Sequence, residues 1–275
     1  MLPLSPANML HSPAMPLHSP VVHADERWFD QRIDHFTPTE DTFMQRYFIN
    51  DDTYAPGGPM FFYLGNEADV TLYLNATGLI WENAAEFNAL VVFAEHRYYG
   101  ESHPFGDDYL NHKEFLSVEQ ALSDYVSLVG SLKDEYQFAH SDAVIGFGGS
   151  YGGMLASWAR YKYPHVWDGA IAGSAPIFSF EGMGVDANFY AEGVTYDVTP
   201  AAGASESCET NLRALFSDLD LVTLAGEEGG ADMIAEQLKL CPESADDDDL
   251  GWSATFWINT ALSYMAMGNY PYPSS

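Results

Sequence analysis

Gly148-Gly149-Ser150-Tyr151-Gly152 matches G-x-S-x-G, the spacing that lifts a serine out of a tight strand-to-helix turn and makes it a nucleophile. An apolar run, Ala143 to Phe147, leads in, and Gly153 opens a helical stretch that runs to about Tyr161 and is stopped by Pro164. In so tight a turn a Cβ at a flanking position collides with backbone, so Gly148, Gly149, Gly152 and Gly153 are expected there on steric grounds. The helix points its amino end at the serine, and the Tyr151 N–H can donate to an oxyanion on a carbonyl under attack. A second donor in this architecture comes from the loop after an earlier core strand, the place of Gly65-Asn66-Glu67. The alternative for that loop is a plain turn at Gly65 with Asn66 capping a helix. Glu67 and Asp69 are acidic groups able to hold a free amine, or to cap and face solvent.

A serine nucleophile needs a base, and in this architecture the chain order is Ser, then Asp or Glu, then His. The nine histidines end at His165, which follows Pro164 at the end of the elbow helix and should point away from Ser150. His96 and His103 flank a strand end near the same edge and are the weaker candidates, with a structural or pocket-rim role as the competing reading.

The elements that must position these residues are legible as an alternation of short apolar runs and amphipathic stretches between Trp28 and Pro176, the signature of an α/β chain with a parallel sheet. Thr42 to Asn50, Met60 to Leu64, Ala89 to Glu95, Ala143 to Phe147 and Gly169 to Gly173 read as strands. Continuous apolar strands are expected where helices cover both faces. Gly78 to Asn88 and Ser117 to Tyr136 read as helices, the latter with Ser117 and Gln120 as a capping box. Helical periods return at Asn211 to Leu224 and Gly230 to Leu240.

The organisation that follows is a disordered leader over 1–27, the amino-terminal part of an α/β core over 28–185, and a helical, incomplete cap over 186–275. The leader is rich in Pro, Ser and His and lacks the basic start and apolar stretch of a secretory signal. From Asp186 onward there are 16 Asp and Glu against 2 Lys and Arg, about twice the charge density of the preceding residues. The Asp246 to Asp249 run reads as a solvated loop, because four adjacent carboxylates cannot converge on one ion.

Composition removes several classes of function. With 275 residues and 47% apolar residues the chain can bury a large core, so disorder is excluded. A formal charge of −30 repels phosphate backbones, so nucleic acid is not an expected partner. The longest unbroken apolar run, Ala89 to Ala94, is too short for a membrane span. Cys208 and Cys241 are too few and too far apart to frame a metal site, and whether they pair stays open. No metal or cofactor is called for.

Gln31-Arg32-Ile33-Asp34-His35-Phe36, Phe61 to Glu67, Val92 to Ser102, Gly148 to Leu155, and Tyr270-Pro271-Tyr272-Pro273 form a set of separate blocks. Together these blocks resemble the Pro-X carboxypeptidase and dipeptidyl peptidase II family of serine exopeptidases. The resemblance runs from about Trp28 to the end. It implies an α/β-hydrolase core with a helical cap and cleavage after proline, with Ser150 as nucleophile and Tyr151 supplying an oxyanion amide. It also implies a secreted or lysosomal/vacuolar setting, which the sequon at Asn75 suits. The expected partner is a peptide with proline near the scissile bond, and a homodimer is compatible with the reading. Family members are longer, so the catalytic Asp and His are expected beyond residue 275. The competing reading is a non-catalytic acidic secreted binding module or an inactive fragment.

Overall fold

The computed structural model describes residues 23–268 apart from 187, 219–220 and 246. Most of the leader, part of the Asp run and the Tyr270 to Pro273 block lie outside the described residues. The chain divides into two compact units, with the boundary between Ser179 and Phe180, slightly before the composition changes.

The first unit is built on a six-stranded sheet: β1 (Asp25–Arg32), β2 (Thr42–Asn50), β3 (Met60–Leu64), β4 (Leu90–Ala94), β5 (Val144–Gly149) and β6 (Gly169–Gly173), in the order β1-β2-β4-β3-β5-β6. β2 pairs antiparallel with both β1 and β4, whereas β4, β3, β5 and β6 run parallel to one another. β1 takes in Asp25 to Arg27, which the expected leader places outside the fold. The strand is hidden in the sequence because its only two apolar residues, Trp28 and Phe29, are flanked on both sides by charged and polar ones.

Parallel neighbours need crossovers, and helices supply them: α1 (Val70–Ala76), α2 (Gly78–Phe87), α3 (Val118–Glu135) and α4 (Tyr151–Lys162). Every residue of β3 and β4 is buried because both faces are covered. Met60, Phe62, Leu64, Leu90 and Val92 meet Leu122, Tyr125, Leu128 and Leu155 of α3 and α4. On the opposite face, Phe61, Tyr63, Val91 and Phe93 meet Val70, Leu74, Ile80 and Ala84 of α1 and α2. The period of two along each strand thus sorts side chains into two cores. A one-residue register slip would exchange them.

Ser117 caps α3 by accepting from the Gln120 N–H at 3.2 Å. The reciprocal half of the expected capping box does not form. Gln120 instead accepts from the His35 N–H and donates to Asp34, tying the helix start to the segment after β1. Tertiary partners of better geometry win the side chain.

The second unit is helical: α5 (Phe189–Asp197), α6 (Glu206–Asp218), α7 (Leu221–Ala225), α8 (Gly230–Leu238), α9 (Pro242–Ala245) and α10 (Leu250–Met267). Its small core joins Leu221, Ile234, Leu250 and Ala254. α10 has no counterpart among the expected helices because it carries no charged residue and its polar ones, Ser253, Thr255, Asn259, Thr260 and Ser263, are scattered among apolar ones, leaving only a weak helical period to read. Cys208 and Cys241 are both free thiols. No helix among the described residues is long and apolar enough to cross a membrane.

Candidate active site

The strand order reverses at β3. The chain leaves β3 for β4 on one side and later takes up β5 on the other, so the carboxyl ends of β3 and β5 form a topological switch point. Ligands of open α/β sheets bind at such a switch point. Gly65-Asn66-Glu67 follows β3 and Ser150 follows β5, so the topology brings the two sequence candidates to one edge.

Ser150 sits between β5 and α4 with φ 54° and ψ −124°, a conformation outside the regions open to most L-residues. The surroundings hold it there. Its N–H donates to the Gly173 carbonyl at 3.0 Å, and its own carbonyl accepts from the Met154 N–H at 3.0 Å. Strain maintained by neighbouring contacts is a mark of functional turns. The Ser150 side chain is exposed, and it makes no cap hydrogen bond to α4.

Three of the four elbow glycines are sterically required. A Cβ on Gly148 would lie 2.1 Å from the Gly152 carbonyl oxygen, one on Gly152 would lie 2.9 Å from the Leu64 oxygen, and one on Gly153 would lie 2.8 Å from the Gly173 oxygen. Gly149 is different: a Cβ there would meet nothing within 4 Å, so the steric expectation at 149 is corrected. Gly148→Ala is therefore expected to destabilise the protein by about 1–3 kcal/mol or more, through overpacking against backbone. Gly149→Ala should change stability by less than about 0.5 kcal/mol. Urea unfolding of the two variants checks the contrast, and equal losses would overturn it.

The loop after β3 differs from expectation in one detail. The Gly65 N–H donates to the Ala94 carbonyl at 3.0 Å, so it is not free to serve an oxyanion. Gly65 is needed for close approach, since a Cβ there would lie 2.3 Å from that same oxygen. Its carbonyl accepts from the Tyr125 hydroxyl at 2.7 Å, which anchors the loop to α3. Asn66 is buried, and its side chain lies against the elbow, with Oδ1 3.4 Å from where a Gly152 Cβ would stand. Asn66 does not cap α1: Asp69 does, accepting from the Thr71 N–H at 2.8 Å.

Tyr151, the first residue of α4, is tethered from below. Its hydroxyl meets His96 Nε2 at 3.1 Å, while His96 Nδ1 lies 2.7 Å from the Arg97 carbonyl. A carbonyl can only accept, so the proton is on Nδ1, and Nε2 accepts from Tyr151. Burial pushes the Tyr151 phenol up, helped by the nearby Tyr99, Glu67 and Glu119.

His96 is thus a buried structural ring. Burial holds its pKa down at about 4, against smaller upward contributions from the Arg97 carbonyl and Asp124. The unfolded chain binds a proton below its ordinary 6.5, and the folded chain does not until about 4. Stability therefore falls as pH drops from 6.5 to 4, by about 3 kcal/mol from this residue alone, and the loss is complete below that range. His96→Gln should flatten this part of the stability–pH curve. Urea titrations between about pH 4 and 7 read it, and an unchanged slope would refute the assignment.

The other histidines are placed elsewhere. His103 stacks on Tyr109 at 4.0 Å and borders a cleft of about 770 Å³ also lined by Phe43, Met44 and Phe105, which Ser150 does not line. His35 meets Asp124 at 2.7 Å, His112 lies beside Asp108 and Glu114, and His165 is exposed beside Tyr163. Among the described residues, none of these histidines hydrogen-bonds to Ser150. Asn75 is exposed near the end of α1, its amide bonded to the Thr71 carbonyl at 3.0 Å.

Sequence reasoning did not anticipate the buried ion network beneath the site. Arg97 binds Asp124 through Nε and Nη2, both at 2.6 Å, and donates to the carbonyls of Arg32, Ile33 and Phe115. Arg46 pairs with Glu95 at 2.7 Å and with Asp69 at 2.9 Å, while Glu95 also accepts from Ser102 and from the Val70 and Glu101 amides. The Glu95 to Ser102 block is therefore scaffold. A Cβ on Gly100, at φ +58°, would come within 1.8 Å of Glu95 Oε1, which explains the glycine.

A family model described as serine carboxypeptidase S28 matches residues 31–275. The lysosomal Pro-X carboxypeptidase of Mus musculus is 40% identical over 253 residues, covering 89% of this chain and 49% of the relative. That of Homo sapiens is 38% identical over 276 residues, covering 97% and 53%. The thymus-specific serine protease of Mus musculus is 33% identical over 227 residues, covering 82% and 44%. The chain spans about half the length of these curated relatives.

Proposed function

The chain belongs to the serine carboxypeptidase S28 family, and from that premise we propose that it carries the nucleophile and oxyanion site of a serine exopeptidase that cleaves after proline. The observation that carries the reading is Ser150 itself: exposed, held at positive φ, and placed at the sheet's switch point facing the loop after β3. Its hydroxyl oxygen attacks the carbonyl carbon of the scissile bond. The tetrahedral oxyanion is held by the Tyr151 N–H at the start of α4, with the Asn66 amide as second donor. One such donor contributes about 10²–10³ in rate. The triad His takes the serine proton and returns it to the leaving nitrogen, so that collapse expels the neutral amine and leaves an ester on Ser150, which water then hydrolyses.

The reading takes the Asp and His of the triad from sequence outside the described residues, and for the His it agrees with the finding that none of the described histidines hydrogen-bonds to Ser150. Proline offers shape and no donor, so its subsite is apolar and aromatic. The names of the relatives support a lysosomal setting.

Labelling with a fluorophosphonate tests the reading, using the product of the full reading frame. The expected adduct is on the peptide containing Ser150. A label on another residue, or none, would overturn the proposal and favour a non-catalytic binding module.

A further inference from the structure

The first turn of α4 reads Tyr151-Gly152-Gly153-Met154. Glycine is among the least favourable residues in a helix, and two in a row bring no side chain with which to anchor the turn. Ser150 gives it no side-chain cap, and it holds no acidic residue to meet the helix dipole. The amide assigned to the oxyanion therefore sits on a turn that its own sequence leaves weak. Tyr151 carries the turn's one hydroxyl, and that hydroxyl is fixed from outside, donating to His96 Nε2 at 3.1 Å.

The other end of this tie is rigid. The His96 ring is 1% exposed, and its Nδ1 donates to the Arg97 carbonyl at 2.7 Å. Tyr99 and Tyr125 stand edge-on to the ring, with centroids 5.3 and 6.5 Å away. Arg97 in turn grips Asp124 of α3. Tyr125, the next residue of α3, donates to the Gly65 carbonyl and so holds the loop after β3. Both sides of the proposed oxyanion hole thus lead back to one helix, the amide through Tyr151, His96 and Arg97, and the loop through Tyr125. Two donors whose spacing must be right to within about 0.5 Å are best held from a common base.

We infer that His96 is a positioning residue for the reaction: by accepting from the Tyr151 hydroxyl it aims the Tyr151 N–H at the oxyanion. The inference rests on Ser150 being the nucleophile, and it adds to that reading a residue that acts only through Tyr151. An interaction that matters only once charge has developed on the carbonyl oxygen lowers kcat and spares KM.

The test uses the product of the full reading frame and the tripeptide Ala-Pro-Phe, whose Pro-Phe bond suits an exopeptidase working from either end. Tyr151→Phe keeps the ring and the backbone N–H and removes only the anchor. It should lower kcat by about 30-fold, the scale of a displaced donor, and change KM by less than about 3-fold. His96→Leu should do the same. His96→Gln, whose amide oxygen can accept from the phenol, should recover at least about 5-fold of that loss. Labelling of Ser150 by a fluorophosphonate, whose phosphoryl oxygen occupies the same hole, should slow in parallel.

A thermal melt of each variant accompanies the rates, which are read well below its midpoint. A lower melting temperature with kcat within about 3-fold of wild type would reduce His96 to a purely structural role and overturn the inference. A loss confined to KM would overturn it equally. Tyr151→Phe carries the test if His96→Leu fails to fold. Wild type labelled on Ser150 with Tyr151→Phe turning over normally would sink the positioning role alone. No label on Ser150 in the wild type would sink the nucleophile, and this inference with it.

Discussion

Ser150→Ala is expected to lower turnover of an X-Pro substrate by about 10⁴- to 10⁶-fold and to leave the fold intact. The size follows from the mechanism, because the hydroxyl oxygen forms the acyl bond and alanine offers no substitute. The fold should survive because the Ser150 side chain is exposed and makes no cap bond to α4. The contacts that keep the turn use backbone atoms, from Ser150 N–H to Gly173 and from Met154 N–H to Ser150. Alanine has the same backbone limits at positive φ, so the strain is unchanged. Steady-state kinetics on the full reading frame, with a thermal melt beside them, decide the matter. Turnover within about 10-fold of wild type would remove Ser150 from the chemistry.

Arg97→Ala should produce the largest loss of stability, about 3–5 kcal/mol. The guanidinium is fully buried and binds Asp124 with two bonds of 2.6 Å. Removing it strands a buried carboxylate whose remaining side-chain partner is His35, and it orphans carbonyls at the end of β1 and before α3. For a domain of this size the melting temperature should fall by on the order of 10 °C. The paired change Arg97→Met with Asp124→Leu should recover much of the loss, because it leaves no unmatched charge. If the double variant is as unstable as the single one, the damage lies in the lost carbonyl contacts and not in the stranded carboxylate.

Much of the sheet is legible in the sequence because short apolar runs bounded by Gly and Pro leave few alternatives. β2 and β3 have the limits that patterning assigns. β1 is not legible: its residues Asp25, Glu26, Arg27 and Asp30 break any apolar run, and only pairing with β2 makes it a strand. The elbow is readable as a local motif, since strand, glycines and helix adjoin in sequence. Gly149 shows the limit of that reading, because a motif does not say which glycine touches backbone. The role of His96 is hidden for another reason. It depends on contacts with Arg97, next in sequence, and with Tyr151, far along the chain, and no spacing encodes the second. The burial that leaves Glu67 Oε2 without a donor is likewise a property of assembled loops.

Arg97 also limits how the amino terminus can be processed. Its guanidinium grips the Arg32 and Ile33 carbonyls, while Gln31 is joined to Gln45 and to the Asp124 carbonyl. A maturation protease that cuts ahead of Asp25 leaves all of these contacts in place. A cut beyond Ile33 removes the β1 partner of β2 and opens an unpaired strand edge on which copies of the chain can associate. Loss of residues ahead of Asp25 would thus spare the sheet, whereas loss through Ile33 would turn its edge into a site of self-association.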